Sequence, residues 1–96
     1  MFARVTIVHV KKDQIDAAIK LSKDSVIPAA QSQKGFRGAQ LFTEPSGKGM
    51  FITFWDNIGH AVDNEQSGYY QEQLAKFKEI FDAPPYHEGY NVALSI

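Results

Sequence analysis

The 96-residue chain has no cysteine. A disulfide scaffold, a thiolate nucleophile, an iron–sulfur cluster and a Cys-ligated zinc are thereby excluded. Charge of one sign is equally scarce: ten Lys and Arg against eleven Asp and Glu give a formal net charge of -1. Nucleic-acid affinity comes mostly from clustered positive charge. The one adjacent basic pair, Lys11-Lys12, sits beside Asp13 and Asp16, so no nucleic-acid partner is expected. No apolar run approaches the roughly 20 residues that span a bilayer. Met1 to Thr6 lacks the charged and then long apolar segments of a signal peptide, so no membrane partner is expected and the default location is cytoplasmic. Repeats, linkers and low-complexity segments are missing too. What is there is 44% hydrophobic and 22% charged, the composition of one folded domain, 1–96, with a single thin core.

Residues Phe2 to Val10 alternate: Val5, Ile7 and His9 fall in one phase, Arg4, Thr6, Val8 and Val10 in the other. Both phases are largely apolar, which predicts a strand covered on two sides. Asp13 reads as a helix N-cap. Ile15, Ala18, Ile19, Ser22, Val26 and Ala29 then mark an amphipathic helix. Pro28 predicts a kink or break near Ile27, and Lys34-Gly35 a stop. Phe36 to Thr43 and Met50 to Trp55 read as a hairpin joined by Glu44 to Gly49, with Gly38 marking a close backbone approach. Asp56 to Gln66 forms a short helix with Asp56 a candidate cap. Ser67-Gly68 restarts a helix through Tyr70, Leu74, Phe77 and Phe81, which Pro84-Pro85 closes. Tyr86 to Ile96 alternates as a last strand.

The order β-α-β-β-α-β predicts an α+β, ferredoxin-like antiparallel sheet with its helices on one face. The strands nevertheless carry apolar residues on both faces: Leu41 and Phe42, Phe51 and Ile52, Phe54 and Trp55. A bare face of that kind would be an unusually large exposed patch. A homodimer through the open sheet face is the economical solution.

With these residues in place, the chain resembles the antibiotic biosynthesis monooxygenase-like domains, which form dimeric α+β barrels. The resemblance runs over nearly the whole chain. It is carried by Val10-Lys11-Lys12, Lys34-Gly35-Phe36-Arg37-Gly38, Phe54-Trp55-Asp56, Ser67-Gly68-Tyr69-Tyr70 and the strand after Pro84-Pro85. It implies either a cofactor-independent monooxygenase of a small aromatic, polyketide-like substrate or a non-catalytic, homodimeric ligand-binding or structural domain. Relatives that open haem use an Asn, a Trp and an iron-ligating His where this chain has approximately Thr6, Asn64 and Leu74. Leu74 cannot ligate iron, so haem degradation is not expected.

The three histidines, His9, His60 and His87, have no partner at ligand spacing, and no metal or cofactor is expected. His60 reads as a solvated surface residue, while His9 and His87 could be cross-sheet neighbours. Gly47-Lys48-Gly49 joins two strands and is a turn, not a phosphate loop. A pocket is expected between the sheet and the helices, lined by Thr6, Trp55, Asn64, Tyr69 and Tyr90. Gly59 and Gly68 bracket a short helix that could serve as its lid. No residue pair specifies a catalytic base.

Overall fold

The computed structural model describes residues 1–96. Strand β1 (Phe2–Val10) leads into a 3-10 turn (Lys12–Gln14) and helix α1 (Ile15–Leu21), which runs through a π-helical segment (Ser22–Val26) into α2 (Ile27–Ala30). The hairpin β2 (Phe36–Thr43) and β3 (Lys48–Trp55) follows, then α3 (Ile58–Gln66), α4 (Tyr69–Ala75) and β4 (Phe81–Asn91). The four strands form one antiparallel sheet in the order β2-β3-β1-β4. This is the ferredoxin-like α+β arrangement, with β1 and β3 central. No helix is long and apolar enough to cross a membrane.

Register assigns the two faces. Arg4 pairs with Thr53 and Gly89, Thr6 with Phe51 and His87, and Val8 with Gly49. These positions lie beneath the helices. The opposite phase pairs Val5 with Ile52 and Glu88, Ile7 with Met50 and Tyr86, and Ala3 with Phe54 and Tyr90. No element covers that second face. Under the helices the core splits in two: Val8, Val10, Ala18, Val26 and Phe77 at one end, and Phe2, Trp55 and Ala61 at the other. Between them, on the same side of β1, stand Arg4 and Thr6. The polar site of the molecule is built into that interruption.

Several local expectations are corrected. Asp13 caps nothing; it lies within the 3-10 turn, and α1 begins at Ile15 with no side-chain cap. Pro28 does not break the helix. A proline lacks the N–H that would reach residue 24 and its ring crowds that carbonyl. The chain answers one turn earlier, widening over Ser22–Val26, where the Ile27 N–H donates to the Ser22 carbonyl five residues back. The helix ends at Ala30, short of Lys34-Gly35. Asn57, not Asp56, caps α3, its side chain accepting from the His60 N–H at 3.0 Å. Asp56 instead pairs with Arg37.

The largest correction is at the C-terminal end. Helix α4 stops at Ala75, Phe81 opens β4, and Pro84-Pro85 lie inside that strand. β4 is an edge strand, where a missing donor need not cost a ladder bond, and the register shifts beside the prolines, between Ile7 and Val10. Val92 to Ile96 lie beyond it. His9 and His87 occupy opposite faces, since His9 pairs with Ala83 and His87 with Thr6. Gly38 sits at a bulge in an edge strand, and an added methyl would meet only Phe54, at 4.0 Å. Close approach does not explain it.

Gly47 has a stronger requirement. Its φ is +97°, and a Cβ there would lie 2.2 Å from the Val10 carbonyl oxygen. The same turn is pinned to β1 by the Val10 N–H donating to the Gly47 carbonyl at 2.8 Å. Gly47→Ala is therefore expected to lower stability by about 2 kcal/mol. A lowered urea midpoint at unchanged slope is the outcome that checks it.

Candidate functional site

An apolar cavity lies between the sheet and the helices, with a water-accessible volume of about 80 Å³. β1 contributes Arg4, Thr6, Val8 and Val10, and β3 contributes Phe51, Thr53 and Trp55. The roof is Ala18, Ser22, Val26 and Ala30 from the first helical region and Tyr69, Tyr70, Gln73, Leu74 and Phe77 from the second. The π-helical widening places Ser22 and Val26 in that roof, both buried. Such a widened turn is frequently found at functional sites. Thr43, Glu44 and Lys48, exposed residues at the β2–β3 connection, complete the lining.

The cavity's polar end is organised by Arg4, only 5% exposed. A dry guanidinium is costly unless its donors find acceptors. Here α3 supplies them: Arg4 donates to Asn64 Oδ1 at 2.9 Å and to the Ala61 carbonyl at 3.4 Å, with Glu65 Oε2 at 3.7 Å. Its planar head also lies over two aromatic rings, 4.0 Å from the Tyr70 centroid and 5.3 Å from that of Trp55. Burial pushes the Arg4 guanidinium down from its ordinary value, while Tyr70 and Glu65 oppose that shift.

Tyr70 is held from three sides. Its hydroxyl and that of Thr6 share a 2.7 Å hydrogen bond. Its ring meets Arg4 on one side and His87 edge-on at 5.1 Å. His87 Nε2 in turn lies 2.6 Å from Glu65 Oε1. Burial raises the Tyr70 phenol above its ordinary 10.0; Thr6 and Arg4 oppose the shift and Glu65 adds to it. The Tyr69 phenol is also raised, by burial first and then by Glu72. At neutral pH both hydroxyls are therefore protonated donors. The Tyr69 hydroxyl and Gln73 Oε1, one helical turn apart on α4, are buried without a partner.

The raised Tyr70 value has a consequence for stability. An unfolded tyrosine ionises near 10.0, and the folded protein resists that ionisation, so the contribution is complete below pH 10. It is lost as the pH rises through the higher folded value. Tyr70→Phe is expected to flatten the loss of stability above pH 10, read as urea midpoints at intervals up to pH 11.

Of the five residues expected to line the pocket, Thr6, Trp55 and Tyr69 do so. Trp55 is 1% exposed, its Nε1 donating to Thr53 Oγ1 at 2.9 Å. Asn64 stands behind Arg4, bridging it to Gln33, and is not in the cavity wall. Tyr90 is half exposed, lies on the open sheet face opposite Ala3 and touches Glu88. The sheet itself separates it from the cavity. Nor is α3 a loose lid: Ala61 is fully buried and Asn64 is tied to β1. His60 is not a solvated surface residue, since its Nδ1 is buried and its ring packs where a Gly35 side chain would stand. Arg4, Tyr70 and Gln73 also line the cavity, and Glu65 and His87 stand against Arg4 and Tyr70 outside its lining. Arg4 left a signal, a charge in a phase otherwise filled by Thr6, Val8 and Val10. No three His, Asp or Glu side chains converge as metal ligands would.

The sequence matches no protein-family model and no curated protein. Its fold is shared with solved structures at low identity. A monooxygenase from the ActVA-Orf6 gene of Streptomyces coelicolor, in complex with nanaomycin D, superposes with a TM-score of 0.79 at 15% identity, over 99% of this chain and 89% of that one. An antibiotic biosynthesis monooxygenase gives 0.74 at 11% identity, over 98% and 100%. A conserved protein from Methanosarcina mazei gives 0.75 at 18%, over 93% and 89%. The chain thus has the fold of the antibiotic biosynthesis monooxygenases, and at these identities the likeness extends to fold alone.

Proposed function

We propose that the protein is a cofactor-independent monooxygenase of a small aromatic hydroxy compound, working as a homodimer. The observation that carries this reading is a largely apolar cavity whose polar end holds the Tyr70–Thr6 hydroxyl pair backed by Arg4. Chemistry of this kind needs an electron-rich substrate held away from water, with a donor placed on its anion as it meets oxygen. Tyr70 is that donor and Trp55 the wall against the ring. The fold shared with the nanaomycin D-bound monooxygenase supports this reading. The cavity, of about 80 Å³, has room for one ring. A larger ring system would extend toward the exposed lining residues Glu44 and Lys48.

The homodimer rests on the uncovered sheet face, where Phe42, Tyr86 and Tyr90 are each about half exposed beside Ile52 and Phe54. A second copy would cover this patch by an isologous contact.

One observation favours the alternative, a binding domain without turnover. The cavity lining has no histidine and a single carboxylate, Glu44, at the exposed turn. No general base faces the substrate. Oxygen consumption separates the two readings when followed against a panel of anthrones and quinols. The oxygenase reading predicts uptake matched to substrate loss, with kcat lowered about a hundredfold in Tyr70→Phe. Saturable binding of the same compounds without oxygen uptake would leave the binding domain.

A further inference from the structure

Arg4 does more than the packing of α3 on β1 requires. Its edge alone reaches Asn64, the Ala61 carbonyl and Glu65. A tie between two elements needs only those bonds. Yet the guanidinium carbon also lies over the Tyr70 ring, 4.0 Å from its centroid and closer than to that of Trp55. A cation over an aromatic face is attracted to the ring's negative quadrupole, more so when both are dry. It is attracted further when the ring becomes a phenolate, because the whole negative charge then lies beneath it.

We propose that Arg4 is the positioning residue of the site, fixing the Tyr70 ring and stabilising the phenolate left when Tyr70 gives its proton to a bound oxyanion. This rests on Tyr70 being the donor of the cavity. In the step, the Tyr70 O–H bond breaks, a new O–H bond forms on the ligand oxygen, and the electron pair stays on Tyr70. Thr6 then donates its hydroxyl to the phenolate oxygen at the 2.7 Å separation already present. Arg4 compensates from the ring face.

The groups around Tyr70 make the effect separable from simple packing. Arg4 comes from β1, Glu65 from α3 and His87 from β4. Tyr69 is its neighbour on α4, and the first helical region contributes no titratable side chain to the cavity. Glu65 holds Arg4 by one oxygen and His87 by the other. Positive and negative charge thus act on the same ring from two different elements. Loss of Arg4 and loss of the Glu65 charge must move Tyr70 in opposite directions. Loosened packing would move it the same way in both.

The test uses the whole chain without ligand, with 3,5-difluorotyrosine at position 70, whose fluorine resonance follows ionisation at a pH where the protein stays folded. Arg4→Met is expected to move the ionisation midpoint upward by at least tenfold in proton concentration. Arg4→Lys, which keeps the charge and loses the plane, should move it less. Glu65→Gln should move it downward. An unchanged midpoint in a folded Arg4→Met protein overturns the proposal, as does a shift of the same sign in Glu65→Gln. If Arg4→Met does not fold, Arg4→Lys and Glu65→Gln decide it by their opposite signs. Because no ligand is present, failure of this test is distinct from failure to find oxygenase activity.

Discussion

Trp55→Ala is expected to cost about 3–5 kcal/mol of stability, the largest effect of any single truncation in this chain. The side chain is 1% exposed and closes the core cluster formed with Phe2 and Ala61. Its ring meets Phe36 edge-on at 5.8 Å, and its Nε1 donates to Thr53. Truncation leaves a void between β3 and α3 that continues into the cavity, because Trp55 walls both. Arg4 also loses one of its two aromatic covers. Water then reaches the polar end, so ligand affinity should fall along with stability. Urea melts of Trp55→Ala and Trp55→Phe measure this. A loss below about 1 kcal/mol for the alanine variant would contradict the packing described.

The second large effect is on assembly. Ile52→Lys is expected to convert the protein at micromolar concentration from a dimer to a monomer, with half the mass by light scattering. Ile52 lies near the middle of the uncovered face, paired with Val5 on one side and Gln40 on the other. A lysine at the centre of an isologous contact is placed twice, each copy against the other, with no acid in the same register row except Glu88 of β4. The monomer core is on the other face, so the variant should remain folded. Wild-type protein that already scatters as a monomer would remove the dimer altogether.

Much of the fold could be read from residue alternation because burial enforces it. β2 occupies Phe36–Thr43 as expected, and the phase of β1 divides the two faces as its side chains suggested. The end of the chain was less legible. Pro84-Pro85 ordinarily signals termination, and only the edge position of β4 allows both inside a strand. Phe81 fitted the helical spacing of Tyr70, Leu74 and Phe77, yet it stacks on Phe77 as the first residue of β4, 5.3 Å away. Local periodicity does not distinguish those two ways of reaching the same core.

The site was legible by phase and obscure by partner. Thr6 and Trp55 line the cavity from central strands and Tyr69 from the start of α4. Tyr90 failed because its phase puts it with Ala3 on the opposite face. Asn64, expected in the lining, instead bonds Arg4 from behind. The Arg4–Tyr70 stack joins residues 66 positions apart, and no local pattern encodes such a pair. Its sequence trace was the arginine itself, standing between two apolar clusters.

The most direct measurement of the cavity as a ligand site is a titration of the protein with anthraquinone-like and naphthol compounds, followed by Trp55 fluorescence. The wild type should saturate at one ligand per chain, with Tyr70→Phe binding about tenfold more weakly and Tyr90→Phe binding as the wild type does. No saturable change at millimolar ligand, or equal losses in Tyr70→Phe and Tyr90→Phe, would contradict a site between the sheet and its helices.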